Sequence, residues 1–260
     1  MSTNSFFDIN RLKHLLIRQI SFNYKILLIA TGAIMGLLLF IGTMMLLFSG
    51  QNITQTVFLG LIMPYFFVGG YVFSSVVFSE LNSPHRGYLY LTLPASTFEK
   101  LMSSWLVCSV GYVLFLSIVM YVINLYYITI AASFTLKTVE VFNIFTPAVL
   151  KMFGVYMVTQ SIFFLGAIYF RRVNFLKTFL ALFVLGMAIA FYSGILSKIL
   201  FFTSSINNQW WAHHIGIDHS FNMKYIAEHV IVPIAKTLFW GCTAPFFLLV
   251  SYYRLKEREV

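Results

Sequence analysis

The side chains most capable of chemistry in this sequence stand together in one polar segment near its C-terminal end. Imidazole and carboxylate groups are common zinc ligands in proteins. The segment holds His213, His214, Asp218, His219 and His229. Their spacing does not match H-E-x-x-H or a comparable ligand pattern. We therefore predict no metal site, and we interpret residues 203–229 as a solvated external loop.

Motifs for covalent chemistry are also missing from the sequence. Ser193 precedes Gly194, but the residues before Ser193 do not complete the G-x-S-x-G motif that presents a nucleophilic serine. The phosphate-binding pattern G-x-x-x-x-G-K-S/T does not occur either. The sequence thus predicts no catalytic and no cofactor-binding residue, and we do not expect the chain to be an enzyme.

A second polar segment, residues 80–100, has more local order encoded in it than a simple turn between two helices requires. Ser96 and Glu99 form the S-x-x-E pattern of a capping box, in which each side chain accepts a hydrogen bond from a backbone N–H at a helix start. Pro94 keeps the preceding backbone extended. We predict that a helix begins near Thr97.

Upstream of that cap, leucines alternate with hydroxyl-bearing side chains. The alternating residues are Tyr88, Leu89, Tyr90, Leu91, Thr92 and Leu93. An extended segment with this pattern has one apolar side and one side that can form hydrogen bonds. Apolar side chains at a surface mark contact with lipid or with a partner protein. We therefore predict a docking surface in residues 80–100.

The composition indicates a membrane protein with several spans. Of the 260 residues, 60% are hydrophobic and 10% are charged, whereas about a quarter of the residues in soluble domains are charged. The mean hydropathy is +0.85. The net charge of +9 comes from Lys and Arg clustered between apolar runs, as the positive-inside rule predicts. We therefore expect no nucleic-acid partner.

Six apolar runs are long enough to cross a bilayer. The first carries no charge, and as a helix it would extend about 34 Å, compared with roughly 30 Å for the hydrocarbon core. Pro147 suits the first turn of the fourth span. The absence of Asp and Glu from all six runs disfavours a proton- or sodium-coupled carrier. The predicted spans are residues 26–48, 53–79, 101–133, 148–170, 175–202 and 230–253.

Residues 1–25 predict an amphipathic helix ahead of the first span. Apolar side chains recur at helical spacing among Arg11, Lys13, Arg18 and Lys25, which gives one apolar and one basic face. A helix of this kind lies in the headgroup layer. The alternative is a charged flank that only orients the first span.

The distribution of basic residues predicts the orientation of the chain. Most of the 17 Lys and Arg residues fall on one side of the predicted spans, and that side is cytoplasmic by the positive-inside rule. Both termini, residues 80–100 and the Arg171-Arg172 turn lie there. The expected fold is an all-α membrane protein in one domain, residues 1–260, with six transmembrane helices preceded by an amphipathic interfacial helix.

The loop sequence Glu-Leu…Gly-Tyr-Leu-Tyr-Leu-Thr-Leu-Pro-Ala-Ser…Glu-Lys and the six-span layout resemble ABC-2 type transporter permeases of the bacterial inner membrane. In that family the loop after the second span contains a coupling helix, which an ATPase subunit grips. The resemblance implies a separate ABC ATPase that binds ATP and Mg, a second permease subunit, and surrounding membrane lipid. The coupling residues that it implies are Arg86, Tyr88, Leu89, Tyr90, Leu91, Leu93, Ser96 and Glu99.

The sequence also allows other contacts and other functions. Arg171 and Arg172 are a secondary candidate for cytosolic contact with the ATPase or with anionic lipid, although their orienting role also explains them. Three further classes are a secondary carrier or channel, a membrane enzyme using the external histidines, and a membrane anchor or scaffold. A carrier built from two inverted halves should show related hydropathy in its halves, and we find no such repeat.

Overall fold

The computed structural model describes residues 7–48, 52–78, 87, 92–134, 138–170, 173–215, 229 and 232–259. Six long helices account for most of these residues. The first two are α1, Ile9–Phe48, and α2, Gln55–Val76. Helix α3 joins Thr97–Leu106, a π-helical turn at Val107–Gly111, and Tyr112–Phe134. The others are α4, Pro147–Tyr169; α5, Asn174–Ile215; and α6, which joins Val232–Thr237, a second π-helical turn at Leu238–Cys242, and Thr243–Glu259.

Each of these six helices contains a segment that is long and apolar enough to cross a membrane. The prediction of an all-helical chain with six candidate spans is therefore confirmed for the described residues, and it indicates a multi-pass membrane protein. Pro147 occupies the first turn of α4, as predicted, because proline lacks the N–H that a helix start leaves unpaired.

Two helices differ in extent from the prediction. The sequence predicted an interfacial helix followed by a first span, and the structure contains one continuous helix, Ile9–Phe48. The chain around Lys25 has neither proline nor glycine to interrupt the backbone hydrogen bonds. The fifth span was predicted to end near Phe202, but α5 continues to Ile215. Part of residues 203–229 is therefore helical.

A network of polar contacts ties the helices together at one end of the bundle. Ile53 pairs with Val139 in an isolated parallel bridge, and the Glu140 N–H donates to Ile53 O at 3.1 Å. The carboxylate of Glu140 accepts the Gln55 N–H at 2.8 Å, which satisfies a free donor at the start of α2. We call this end of the bundle the Glu140 face.

Asn124 of α3 completes the network from inside the protein. Its side chain is fully buried, donates to Glu140 O at 3.0 Å, and accepts the Phe142 N–H at 2.9 Å. The sequence left open whether the third span ends near Asn124 or continues, and α3 continues to Phe134. A buried amide with two backbone partners therefore fixes the chain between α3 and α4.

The core between α2, α3 and α4 is aromatic. The ring of Phe66 in α2 lies 5.8 Å from that of Tyr112 and 5.1 Å from that of Tyr156. The Tyr112 hydroxyl donates to Phe66 O at 2.9 Å, and the Tyr156 hydroxyl donates to Cys108 O, within the π-helical turn, at 2.8 Å. Each buried phenol thus bonds to the backbone of a neighbouring helix, as its burial requires.

Two glycines allow these helices to approach closely. A Cβ at Gly70 would lie 2.3 Å from the Tyr156 ring, and a Cβ at Gly166 would lie 1.9 Å from Thr178 Oγ1. A larger side chain at Gly70 would therefore push α2 and α4 apart, and one at Gly166 would push α4 and α5 apart. Small residues at such crossings are typical of helices packed within membranes.

Few side chains of the last two spans are buried by the described part of the chain. Only 6% of the most apolar stretch of α5 is buried, and the same holds for α6, whereas 50% is buried for α4. Helix α5 is anchored at its start, where Asn174 donates to Ala167 O at 3.1 Å. Buried Ser251 and Leu255 mark the side of α6 that packs inward. Among the residues whose burial is described, most side chains of both helices are exposed.

We predict that Gly70→Ala loosens the contact between α2 and α4. Its Cβ would overlap the Tyr156 ring, and overpacking of this kind lowers the free energy of unfolding by about 1–3 kcal/mol. Gly60→Ala is the matched control in the same helix, because a Cβ there meets nothing within 4 Å. Thermal unfolding in detergent micelles measures both variants. Equal transition temperatures would contradict the packing that we describe.

We also predict that Asn124→Ala weakens the Glu140 face. The change leaves Glu140 O and the Phe142 N–H without their partner, and each unsatisfied buried group costs about 1–3 kcal/mol. Hydrogen exchange at Phe142 should accelerate. Thr129→Ala serves as the control, because the exposed Thr129 hydroxyl bonds to Tyr126 O of its own helix. Unchanged exchange at Phe142 in Asn124→Ala would refute this role.

Candidate functional site

The predicted capping box is present at the start of α3. The Glu99 N–H donates to Ser96 Oγ at 3.2 Å, and the Ser96 N–H donates to Glu99 Oε2 at 2.9 Å. The helix begins at Thr97. Both predictions from the S-x-x-E pattern are confirmed, because the two side chains satisfy N–H groups that the first turn leaves free.

The Glu99 carboxylate has a second role that the motif alone does not indicate. Its side chain is fully buried, and its Oε1 atom accepts the backbone N–H of Asp8 at 2.7 Å. Arg11 Nη2 lies 3.7 Å from the same oxygen. One carboxylate therefore joins the start of α3 to the residues just before and within the start of α1. We call this end of the bundle the Glu99 face.

Two further contacts hold α1 and α3 together near this carboxylate. The rings of Phe7 and Phe98 meet edge to face, with their centroids 6.3 Å apart. Two turns along α1, the side-chain amide of Gln19 donates to Ser104 Oγ at 2.6 Å, and both groups are buried. The beginnings of the two helices thus form one packed unit, with a polar contact at each end of it.

Glu99 stabilises the unit because its negative charge lies among donors. Charge-assisted hydrogen bonds contribute roughly 1.5–3 kcal/mol each, and a carboxylate near a helix N-terminus is favoured by the helix dipole. Asp8 also approaches Arg11, with Oδ2 3.7 Å from Nε, but that pair is partly exposed to solvent. Arg11 therefore lies at the same distance from one partly exposed carboxylate and one buried carboxylate.

The other predicted coupling residues are placed as follows. Leu93 is partly buried and packs against the hydrophobic core, and Ser96 is the N-cap residue of α3. Leu93, Ser96 and Glu99 therefore lie within one short segment at the Glu99 face. The remaining predicted residues lie outside the described part of the chain: Arg86, Tyr88, Leu89, Tyr90, Leu91, Arg171 and Arg172.

Basic side chains surround the ends of α4 and α6. The Arg254 guanidinium lies 5.1 Å from the centroid of the Tyr169 ring, and Arg258 Nη2 donates to Tyr169 O at 3.4 Å. Lys177 of α5 lies 5.9 Å from the centroid of the Phe170 ring. Helix α4 starts at the Glu140 face and runs away from it, so Tyr169 lies at the opposite end, where α3 begins.

At the Glu99 face, the polar side chains of the capping box bond to backbone groups of this chain. Among the residues that the structure describes, no group of three His, Cys, Asp or Glu side chains could hold a metal ion. Within this part of the chain the face offers one buried carboxylate, whose acceptor positions are used by its own chain. Of the histidine-rich cluster singled out in the sequence, His213 and His214 lie on α5, whereas Asp218 and His219 lie outside the described residues.

The partners of Glu99 were not predicted from the sequence. Asp8 contributes a backbone N–H, which no side-chain pattern reveals. Arg11 was assigned only to the basic side of the first helix. The one available signal was that an S-x-x-E cap and a basic amphipathic segment both lie at the predicted cytoplasmic side.

Comparisons of the chain with protein-family models, with curated proteins and with solved structures give no match. The geometry and chemistry of the site are therefore the basis for its functional assignment.

We predict that Glu99→Ala releases the start of α1 from α3. The Asp8 N–H and the Ser96 N–H lose their acceptor, and Arg11 loses a buried countercharge. Unfolding free energy should fall by about 1.5–3 kcal/mol for each of the two charge-assisted hydrogen bonds that are lost. Hydrogen exchange at Asp8 and thermal unfolding measure the effect.

Glu257→Ala provides the matched control for this prediction. Glu257 is paired with Arg254, but both side chains are exposed, and exposed ion pairs contribute little. Glu99→Gln separates charge from hydrogen bonding, because it retains an acceptor oxygen. If Glu99→Ala behaves like Glu257→Ala, the carboxylate does not hold the two helices together.

Proposed function

We propose that this chain is the membrane-spanning permease subunit of an ABC transporter of the ABC-2 type. It would move a substrate across the bacterial inner membrane when coupled to a separate ATPase subunit that binds ATP and Mg. The observation that carries the proposal is the set of contacts that Glu99 makes with α1 and α3. The segment that leads out of the predicted docking loop is fixed to both α1 and α3 by one buried carboxylate.

These contacts would allow movement of a docking loop to be transmitted into the membrane-spanning helices. Leu93 is packed on the core, and Ser96 and Glu99 close the first turn of α3. A force applied to residues 80–91 would therefore reach α3 without being absorbed by a flexible turn. Because Asp8 and Arg11 are bound to the same carboxylate, α1 would move together with α3.

The Glu140 face would serve as the fixed end of this movement. Its hydrogen bonds join the start of α2 to the segment between α3 and α4. Displacement at the Glu99 face, with the Glu140 face held, would tilt α1 and α3 relative to α2 and α4. A hinged motion of this kind is one of the established ways in which domains switch between two states.

The charge distribution supports a cytoplasmic location for the Glu99 face. Arg11 and Arg18 of α1, Lys177 of α5, and Arg254 and Arg258 of α6 lie toward this end, as the positive-inside rule requires of the cytoplasmic side. Both termini would then be cytoplasmic. Ile9, Ile17 and Ile20 are exposed along the first turns of α1, and this portion would lie in the headgroup layer beside its basic side chains.

The exposed surfaces of α5 and α6 support assembly with a second permease subunit. Phe183, Met187 and Phe191 on α5 are more than half exposed, and none of the residues that the structure describes covers them. Two subunits would enclose a pathway between them, each coupled to its own ATPase. The second subunit would be identical or related in sequence.

The test of this function is the response of a bound ATPase to changes in the docking loop. We predict that a P-loop ATPase copurifies with the chain from its native membrane in mild detergent. Tyr88→Ala combined with Tyr90→Ala should lower the amount of ATPase retained at least tenfold, because the loop loses two large amphipathic contact side chains. Quantitative mass spectrometry of the purified complex measures the retained ATPase.

Tyr121→Ala combined with Tyr192→Ala is the matched control. Both tyrosines are exposed on candidate spans, so the same chemistry is removed away from the loop. Absence of any P-loop ATPase from the purified complex would contradict the proposal. Equal amounts of retained ATPase in the two double variants would also contradict it. Substrate flux driven by an ion gradient without ATP would then favour a carrier or channel, and a stable soluble partner without flux would favour an anchor or scaffold.

A further inference from the structure

A cavity of about 310 Å³ lies between α1, α2 and α3. Its wall extends from Leu27 to Leu38 on α1 and from Tyr112 to Ile123 on α3, which is roughly 16 Å along each helix. On α2 the wall extends from Ile62 to Val76. All three stretches belong to candidate spans, so the cavity lies at the depth of the hydrocarbon core.

The wall offers almost nothing to a polar ligand. The Tyr112 hydroxyl is used within the protein, where it donates to Phe66 O at 2.9 Å. Thr31 and Tyr65 carry the other side-chain oxygens of the described lining, and every remaining lining side chain is apolar. The wall contains neither a carboxylate nor a basic group. An ion or a sugar would lose its hydration here without gaining replacement hydrogen bonds.

Water is also a poor occupant of this space. A buried water molecule needs two to four polar partners, and apolar cavities of about 150 Å³ stay dry while they take up benzene. This cavity is about twice that size. A dry void leaves its lining atoms without dispersion contacts on one side, so an apolar ligand that reaches the cavity would be retained.

We propose that this cavity binds one hydrocarbon chain of a membrane lipid. The bilayer surrounds the three helices and supplies acyl chains at the depth of the cavity. Ala30 and Val68 line the cavity and are exposed at the surface of the protein, so they form a mouth that opens sideways toward lipid. Met120 lines the cavity and is only 2% exposed, so a lipid chain would reach it through the cavity and not from the outer surface of the protein.

The site selects the chain of the lipid and leaves the headgroup outside the cavity. The elongated wall runs parallel to the helices, and acyl chains run in the same direction across a leaflet. Lipid binding in the cavity is separate from transport and does not depend on an ATPase. Lipid would be held by an isolated chain even if the proposed coupling to ATP hydrolysis is wrong.

Photo-crosslinking in nanodiscs tests the site. The purified chain is placed in phosphatidylcholine nanodiscs that contain a phosphatidylcholine with a diazirine in one acyl chain. After illumination, peptide mass spectrometry measures the label on two buried methionines, Met120 and Met152, each 2% exposed. Met120 lines the cavity and Met152 does not. We expect at least tenfold more label on Met120 than on Met152.

Two tryptophan substitutions on α1 distinguish lipid binding in the cavity from lipid contact at the outer surface. Ala30→Trp fills the mouth and should lower the Met120 label at least tenfold. Ala33→Trp adds the same side chain to an exposed position outside the cavity lining and should leave the label unchanged. Ile118 is exposed on α3, and its label should be equal in all three proteins because it reports ordinary lipid contact.

A second filling variant keeps the test independent of the folding of Ala30→Trp. Val68→Trp closes the same mouth from α2 and should also abolish the Met120 label, while size-exclusion profiles verify that each variant is folded. Equal labelling of Met120 and Met152 in the unmodified chain would overturn the proposal. Persistence of the Met120 label in both filling variants would do the same, as would crosslinks showing a second copy of the chain in the cavity.

Discussion

The structure depends on hydrogen bonds that buried polar groups form between helices, because such groups cost free energy in an apolar surrounding when they lack a partner. Glu99 accepts hydrogen bonds from the backbone of Asp8 and Ser96. At the other end, Asn124 bonds to Glu140 O and the Phe142 N–H. Because Glu99 bonds to the segment before α1 and Asn124 bonds to the segment between α3 and α4, satisfying these buried groups also fixes how the helices are arranged.

The features that the sequence predicted correctly are those set by local or periodic patterns. Six apolar runs predicted six candidate spans, and the S-x-x-E pattern predicted the start of α3 at Thr97. The partners of Glu99 could not be predicted in this way, because a backbone N–H at Asp8 has no side-chain signature. Asn124 lies 16 residues from Glu140 in the chain, and its role depends on how α3 and the following segment are arranged in space.

The differences in helix length have a similar physical origin. Composition identifies where the chain leaves an apolar surrounding, but helical hydrogen bonding continues until a residue or a tertiary contact interrupts it. Polar residues after Phe202 are compatible with a helix, so α5 continues to Ile215. Amphipathic residues before residue 26 are equally compatible with one, so the first span and its basic flank form the single helix α1.

The polar contacts at the two faces hold the helices that form the apolar wall of the cavity. The cavity is bounded by α1 and α3, which Glu99 holds together at one end, and by α2, whose start is held at the Glu140 face. The Tyr127 hydroxyl of α3 also donates to Leu38 O of α1, beside the cavity wall. A tilt of α1 and α3 relative to α2 would therefore change the width of the cavity. An acyl chain that fits one arrangement better would favour that arrangement by the difference in its binding free energy, so lipid occupancy and movement at the Glu99 face would be coupled through the same three helices.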